Sequence, residues 1–330
     1  MADSDSAMAH GGGLIAARAR FPLAPKPWID LSTGINPLPY PVPTLPPEAC
    51  HRLPEPEEVR RLEAAAAQAY GVVDPRTVVA APGTQILISL LPHLLRPSRV
   101  AVVGPTYAEH AAAWTAAGST ISTVPDVASV VSEPAAVLCN PNNPDGRRTR
   151  VADLLALAAR VGVLVVDEAF ADLEEPGLSL APVLPANAVV LRSFGKTYGL
   201  AGLRLGFAVA SLPTARTIRN ALGPWAVSGT AVALGTAALS DPAWLHVTCT
   251  RLQADAARLD DLLTQAGLRI LGGTLLFRLA QHTGAAAIFD GLGQSGILVR
   301  RFDAEPSWLR FGIPGDGWDR LAAALSPPLT

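Results

Sequence analysis

The sequence predicts an α/β fold, in which a large domain built on a mostly parallel sheet precedes a small α+β domain. Short, continuous apolar runs alternate with helical patterns from Val78 to Leu191. Such runs are typical of strands covered by helices on both faces of a parallel sheet. After Trp225 a long helical pattern gives way to short alternating strands. A chain of 330 residues with 49% apolar content can bury one large core and a smaller one.

These patterns divide the chain into an N-terminal arm over residues 1–50, a large domain over 51–240 and a small domain over 241–330. Glycine and proline are frequent in the arm, and the run of prolines that begins at Pro37 is incompatible with regular helix. We therefore expect an extended arm that docks through apolar side chains such as Trp28.

Within the large domain, helices and strands are predicted to alternate. Helices are expected at Glu57–Tyr70, Gln85–Leu95, Tyr107–Ala117 and Val151–Val161, and strands at Val78–Ala80, Arg99–Val103, Ala135–Cys139, Val163–Val166 and Val189–Leu191. In the small domain, a helix over Pro242–Gln265 is expected to precede strands at Leu275–Leu279, Ile297–Arg301 and Trp308–Gly312, with two further helices. Ligands of parallel sheets bind beyond the carboxyl ends of the strands, so a site is expected there.

Composition argues against several classes of function. A net charge of −2 without a basic tract disfavours nucleic-acid binding. The longest apolar run, Ile86–Leu95, contains Pro92 and His93 and is too short to cross a bilayer. Met1–Ala9 has neither the basic region nor the apolar core of an export signal. The three cysteines are too far apart in sequence for a zinc motif or a disulfide framework. These features predict a cytoplasmic protein without a metal site.

One lysine stands out in this chain. Of 26 basic residues only Lys26 and Lys196 are lysines, and Lys196 follows a predicted strand within the small-residue segment Ser193–Gly206. An arginine stays charged and cannot form an imine, whereas a desolvated lysine can lose its proton and do so. The pattern favours covalent chemistry with an aldehyde cofactor, and an ordinary surface lysine is the alternative.

The segment Ser193-x-x-Lys196 followed by Gly-Leu-Ala-Gly-Leu-Arg-Leu-Gly resembles the cofactor-lysine segment of fold type I pyridoxal-phosphate enzymes, the class of aspartate aminotransferase. The resemblance implies a fold type I transferase with a large, mostly parallel-sheet domain and a small α+β C-terminal domain. It also implies that Lys196 binds pyridoxal 5′-phosphate covalently, and that Ser193 and Arg204 hold the cofactor phosphate.

A second phosphate-binding segment is predicted at Gly83-Thr84-Gln85, where a strand turns into a helix. Glycine allows close approach of the backbone, and the start of a helix offers N–H groups and a positive dipole end to an anion. An ordinary helix cap is the alternative. Together with Ser193 and Arg204, this segment fits a phosphate site.

Three more residues match positions that hold the cofactor ring in the resembling family. By that likeness Asp167 keeps the pyridine nitrogen protonated, Asn143 donates to the phenolate oxygen and Tyr107 stacks on the ring. The predicted catalytic residues are Lys196, Asp167 and Tyr107. A structural aspartate, a simple turn and a core tyrosine are the alternatives. Phe170 departs from the family pattern, because a tyrosine often stands there and phenylalanine cannot hydrogen-bond the phenolate.

Features of the arm indicate which branch of the family the chain resembles. His10-Gly11-Gly12, Leu31–Pro37 and Arg52–Pro56 resemble threonine-phosphate decarboxylases of cobalamin biosynthesis, which are similar to histidinol-phosphate aminotransferases over nearly their whole length. Leu53 stands where those aminotransferases usually have a tyrosine that reaches the partner subunit's cofactor phosphate. This departure disfavours the aminotransferase.

The resemblance implies decarboxylation of L-threonine O-3-phosphate to (R)-1-aminopropan-2-ol O-phosphate by a homodimer. Arg310, in a late strand, matches the family's carboxylate-binding arginine, and a guanidinium suits bidentate carboxylate binding; a solvated strand arginine is the alternative. The other candidate substrate-binding residues are His10, Ser32, Thr33, Gly34 and Asn143. An aminotransferase for histidinol phosphate or an aromatic amino acid remains the main alternative. A regulator or inactive homologue is a further one, disfavoured because it would normally carry a DNA-binding segment.

Overall fold

The computed structural model describes residues 11–175 and 177–326, which group into two compact units. The large unit contains Pro39–Asn143 and Arg147–His246. The small unit contains the described residues up to Leu38, the segment Pro144–Gly146 and the described residues from Val247 onward. Among the helices in these ranges, none is long and apolar enough to cross a membrane.

The strands form three sheets, of seven, four and two strands. In chain order they are β1 (Ile29–Asp30), β2 (Val78–Ala81), β3 (Arg99–Val103), β4 (Thr120–Val124), β5 (Ala135–Cys139), β6 (Val163–Asp167), β7 (Ala188–Ser193), β8 (Gly206–Ala210), β9 (Arg269–Thr274), β10 (Phe277–Gln281), β11 (Ile297–Leu298), β12 (Arg300–Arg301) and β13 (Trp308–Gly312).

The helices alternate with these strands through the large unit. In chain order they are α1 (Leu14–Arg20), α2 (Glu48–His51), α3 (Pro56–Ala69), α4 (Thr84–Leu95), α5 (Ala108–Ala116), α6 (Val151–Ala158), α7 (Phe194–Thr197), α8 (Leu212–Leu222), α9 (Gly229–Leu239), α10 (Pro242–Gln265), α11 (Ala285–Gln294) and α12 (Trp318–Leu325). Their starts follow local chemistry: α3, for example, has proline at its first position and a capping box between Glu55 and Glu58.

The seven-stranded sheet belongs to the large unit and has the order β2-β8-β7-β6-β5-β3-β4. All neighbours from β7 to β4 pair in parallel, and only β8 runs against its two neighbours. Alternate residues of each central strand enter two separate apolar clusters; in β6, Leu164 and Val166 enter one and Val165 the other. The sheet is therefore buried on both faces, which explains its uninterrupted apolar strands.

The small unit contains the other two sheets. Its four-stranded sheet has the order β12-β13-β10-β9 with antiparallel pairing throughout. In the two-stranded sheet, β1 from the arm pairs in parallel with β11. Leu31, which follows β1, is buried, so the arm docks through apolar residues as expected.

The predicted alternation of elements is confirmed, although α2, α8, α9 and β1 were not predicted. Four further differences have local causes. The arm is not extended throughout, because α1 forms in a segment rich in Ala and Arg that precedes the prolines. β4 was not predicted because its sequence Thr-Ile-Ser-Thr-Val is mostly polar. β8 was not predicted; its first residue, Gly206, is the last residue of the lysine segment. The strand predicted at Leu275–Leu279 begins instead at Phe277, after a turn from β9, whose Gly272-Gly273 pair hid its strand pattern.

Candidate active site

The residues predicted to bind the cofactor all lie in the large unit, next to one edge of its sheet. Strands β2, β3, β5, β6 and β7 point in the same direction, and β8 runs oppositely and so begins at that edge. The candidates follow these strand ends in turn: Gly83, Thr84 and Gln85 after β2, Tyr107 after β3, Asn143 after β5, Asp167 at the end of β6, Ser193 and Lys196 at the end of β7, and Arg204 before β8.

A glycine-lined cup lies at the start of α4. Gly83 has a φ of +84°, and a Cβ placed there would lie 2.6 Å from Nη2 of Arg204. A Cβ on Gly206 would lie 2.7 Å from the backbone nitrogen of Thr84. Both positions therefore need glycine, which leaves the first N–H groups of α4 and the Arg204 guanidinium side by side. This combination suits an anion such as a phosphate.

Lys196 lies on α7, a helix of four residues that directly follows β7. Its side chain is half-buried, and Nζ lies 5.2 Å from the centre of the Phe170 ring. The buried Ser193 occupies the N-cap position of the same helix. The lysine predicted to be reactive thus lies beside an aromatic face.

Asp167 is buried and bonded to a histidine that sequence reasoning missed. Nε2 of His110 lies 3.0 Å from Oδ2 of Asp167, and both side chains are almost fully buried. Burial opposes ionisation of Asp167, but the hydrogen bond from His110 and the charges of His110 and Lys196 outweigh it, so the pKa of Asp167 is lowered. Asp167 is therefore a carboxylate at neutral pH.

His110 itself is held protonated. Burial would lower the pKa of His110, but the neighbouring Cys139 and Asp167 outweigh burial and raise the pKa to about 10. A ring nitrogen of His110, Sγ of Cys139 and a carboxylate oxygen of Asp167 all lie within 4.8 Å of one another. Nε2 of His110 consequently donates to Asp167. The signal that could have found His110 is its position three residues after Tyr107 on a predicted helix, which places both on one side.

Tyr107 is half-buried and immediately precedes α5. Its hydroxyl donates to Oε1 of Gln85 (3.2 Å), and its ring meets His110 edge-on with centroids 6.1 Å apart. Asn142, which the sequence did not single out, holds the segment before Tyr107: Nδ2 donates to the carbonyl of Pro105 (2.9 Å) and Oδ1 accepts from Thr106 (2.7 Å). Tyr107 is thus held at its hydroxyl and through the backbone segment that precedes it.

The turn after β5 is fixed at its base. Asn140 is fully buried, and its side chain both donates to the carbonyl of Thr149 and accepts from the Thr149 N–H. The backbone N–H of Asn142 donates to the carbonyl of Arg147 (2.8 Å). Asn143, the candidate donor to the cofactor phenolate, is half-buried in this turn.

The candidate substrate-binding residues other than Asn143 lie in the small unit or outside the described residues. Arg310 on β13 is buried, lies over the Phe277 ring at 5.0 Å and donates from Nη2 to the carbonyl of Ser32 (2.6 Å). The Ser32 hydroxyl donates to Asp30 (2.6 Å) and accepts from the N–H of Gly12 (2.8 Å).

The arm therefore forms an ordered turn against Arg310. Thr33 is half-buried, and Gly34 is buried with a φ of +61°. His10 lies outside the described residues.

Comparison with known proteins identifies the family. Residues 28–325 match the family model described as aminotransferase class I and II. The chain belongs to this family. A relative from a Sinorhizobium species, named threonine-phosphate decarboxylase, is 46% identical over 96% of this chain and 97% of its own. A protein of the same name from Pseudomonas aeruginosa is 40% identical over 96% of both chains.

A solved structure of low sequence identity has the same fold. Histidinol-phosphate aminotransferase from Sinorhizobium meliloti, solved in complex with pyridoxal-5′-phosphate, aligns with a TM-score of 0.83 at 22% identity, covering 99% of this chain and 96% of that one. The α/β fold class and the family resemblance predicted from the sequence are confirmed.

Proposed function

We propose that this protein is a pyridoxal-phosphate-dependent decarboxylase that converts L-threonine O-3-phosphate to (R)-1-aminopropan-2-ol O-phosphate in cobalamin biosynthesis. The observation that carries the proposal is the 46% identity over nearly the full length to a protein named threonine-phosphate decarboxylase. The aminotransferase structure of the same fold is only 22% identical. Leu53, in place of the tyrosine usual in histidinol-phosphate aminotransferases, points in the same direction.

The large unit fits pyridoxal 5′-phosphate. The cup at Gly83, which a Cβ would fill, suits the phosphate, with Thr84, Gln85, Ser193 and Arg204 around the same strand ends. We assign covalent attachment to Lys196, ring stacking to Tyr107 and contact with the phenolate oxygen to Asn143. Phe170 cannot supply a second hydrogen bond to that oxygen, so its ring serves as an apolar wall beside Lys196.

When bound, the cofactor accepts the electron pair left behind as a bond to the substrate Cα breaks. Asp167 supports this by remaining negatively charged and keeping a proton on the pyridine nitrogen. His110 in turn keeps Asp167 ionised through its hydrogen bond and positive charge. Lys196 would hold the cofactor and, once the substrate amine has taken its place, would return a proton to Cα. These roles need an amine and a buried carboxylate, and the large unit has both.

Orientation decides which bond breaks. The bound cofactor would favour breaking one bond to the substrate Cα, so the residues that hold the substrate would decide between loss of the carboxylate as CO₂ and loss of the Cα proton, which leads to transamination. We assign the carboxylate to Arg310, whose buried guanidinium is fixed by the Ser32 carbonyl. Binding of the substrate phosphate is assigned to Thr33, the Gly34 amide and His10. Ser32 orders this turn because its hydroxyl already bridges Asp30 and Gly12.

The same proposal includes a homodimer in the cytoplasm, as is usual for the family that the chain resembles. Large apolar side chains are exposed on the large unit, including Leu53 at 60% and Trp225 at 58%. Exposed apolar surface of this kind often marks a protein interface.

The reaction is tested by supplying the purified, cofactor-loaded protein with L-threonine O-3-phosphate and no keto acid. The proposal expects CO₂ and 1-aminopropan-2-ol O-phosphate in equal amounts. The matched control replaces the substrate with histidinol phosphate and a keto acid. Turnover that requires the keto acid, without CO₂ release, would identify an aminotransferase instead.

A further inference from the structure

The helix that carries Lys196 is too short to hold itself in place. α7 spans only Phe194–Thr197, and the N–H of Tyr198 closes its turn on the carbonyl of Phe194 (3.1 Å). A single helical turn is unstable in isolation, because nucleation costs more than one backbone hydrogen bond returns. The position of Lys196 therefore depends on the side-chain contacts of α7.

One of these contacts is a buried polar bond at the residue after Lys196. Oγ1 of Thr197 donates to Oδ2 of Asp172 at 2.9 Å. Thr197 is fully buried, and the Asp172 side chain is only 5% exposed. A hydrogen bond to a carboxylate is stronger and more directional than one between neutral groups, and its geometry is sharply defined when water is excluded.

Asp172 is itself fixed by an ionic cluster, which comprises Glu168, Asp172 and Arg192. Nη2 of Arg192 pairs with Oδ1 of Asp172, and Nη1 pairs with Oε2 of Glu168 at 2.8 Å. Arg192 also lies over the ring of Tyr70, with 4.3 Å between its guanidinium carbon and the ring centroid. Glu168 is further bonded by the hydroxyl of Ser179 and the N–H of Leu180. The ionic cluster is thus bonded on several sides.

The ionic cluster and Thr197 are interleaved in sequence with the candidate cofactor residues. Glu168 follows Asp167, Arg192 precedes Ser193, and Thr197 follows Lys196. A buried ion pair is weak evidence for stability, since desolvation cancels most of the attraction. The fixed positions of these residues, in contrast, restrain the backbone of the candidate cofactor residues that are adjacent to them in sequence.

We infer that Thr197 and Asp172 are positioning residues for Lys196, with Arg192 and Glu168 anchoring Asp172. Lys196 lies between Arg192 and Thr197 in sequence. Through Asp172, the hydrogen bond from Thr197 connects the end of α7 to Arg192 at the end of β7. Without it, α7 shifts and the amine no longer meets the cofactor aldehyde in line. Misplacement of a reacting group by about 1 Å costs up to about a hundredfold in rate.

The test compares Thr197→Val, which keeps the shape and loses the donor, with Thr197→Ser, which keeps the hydroxyl. Apo-protein is mixed with pyridoxal 5′-phosphate, and the rate of covalent attachment is followed by the visible absorbance of the imine. Thermal unfolding of the same apo-proteins is measured in parallel. Thr197→Val is expected to attach the cofactor at least about tenfold more slowly, and Thr197→Ser at a rate close to that of the original protein. A slow rate for Thr197→Val at an unchanged melting temperature supports positioning.

Asp172→Asn carries the test if Thr197→Val does not fold. It is expected to slow attachment as well, and the double variant should be no slower than the slower single variant, because both changes break one interaction. Attachment by Thr197→Val at the original rate, equal slowing by Thr197→Ser, or additive slowing in the double variant would overturn the inference.

The inference rests on the proposed function, and the same experiment separates their failures. If the unaltered protein never attaches the cofactor, the proposed function and the inference both fail. If the unaltered protein attaches it and Thr197→Val does so equally fast, only the inference fails.

Discussion

At the scale of single residues, the charge on Asp167 depends on His110. A buried carboxylate without a partner would tend to take up a proton, which would end its interaction with a protonated ring nitrogen. The imidazolium of His110 prevents this because its hydrogen bond and its charge both favour the ionised carboxyl group. Sequence reasoning found Asp167 at its strand end but not His110, because a histidine within a helical pattern has no signature until the fold places it beside Asp167.

The pH dependence of stability tests this pair. The pKa of His110 is raised from 6.5 to about 10 in the folded protein, so its contribution to the free energy of unfolding is complete below pH 6.5 and is lost as the pH rises through 10. Replacing His110 with Gln, which can still donate to Asp167, removes this titration. Denaturant unfolding of both apo-proteins from pH 6 to 10.5 should show a smaller decline for His110→Gln. Parallel profiles would show that His110 is not protonated in the fold.

At the scale of elements, much of the candidate site could be predicted because each part of it lies in a short segment at the end of a different strand. Continuous apolar runs located the parallel strands, and ligands of such sheets bind at the carboxyl ends of those strands. Gly83, Asp167 and Lys196 were predicted at such ends, and the structure places all three there; their roles toward the cofactor stay predictions. Asp172, Arg192 and Thr197 could not be assigned a role. Their bonds span 20 and 25 residues, and no local pattern encodes such a pairing.

The cup at the start of α4 makes a prediction about Gly83. A Cβ at this residue would collide with Arg204 and would also occupy a left-handed backbone conformation. Gly83→Ala should therefore bind pyridoxal 5′-phosphate about tenfold or more weakly, equivalent to about 1.4 kcal/mol. Binding of pyridoxal without its phosphate should change much less. Equilibrium titration of the apo-protein with both compounds measures this.

Gly118 provides the matched control for that experiment. It has a similar φ of +92°, but a Cβ there would meet no atom within 4 Å. Gly118→Ala should lose a similar amount of stability, roughly 1–2 kcal/mol for the backbone alone, and keep its affinity for the cofactor. Equal affinities for Gly83→Ala and Gly118→Ala would show that the cup does not bind the phosphate.

At the scale of the whole molecule, the proposed homodimer predicts a mass in solution of twice the 34.3 kDa of one chain. Leu53→Arg should lower that mass towards one chain, because a charge would replace an exposed apolar side chain near the expected interface. Val73→Arg is the control, since Val73 is also apolar and 95% exposed on the same unit. Light scattering after gel filtration measures the mass. A monomer of the unaltered protein, or equal dissociation by both variants, would contradict the proposal.

The central claim is that Lys196 is the amine to which pyridoxal 5′-phosphate attaches. The chain has only one other lysine, the exposed Lys26, so the attachment site can be mapped without ambiguity. The cofactor-loaded protein is reduced with borohydride, digested and sequenced by mass spectrometry. The reduced cofactor should be found on the peptide containing Lys196 and should be missing from Lys196→Ala, while Lys26→Ala retains it. Finding the cofactor on Lys26, or on no peptide at all, would contradict the account.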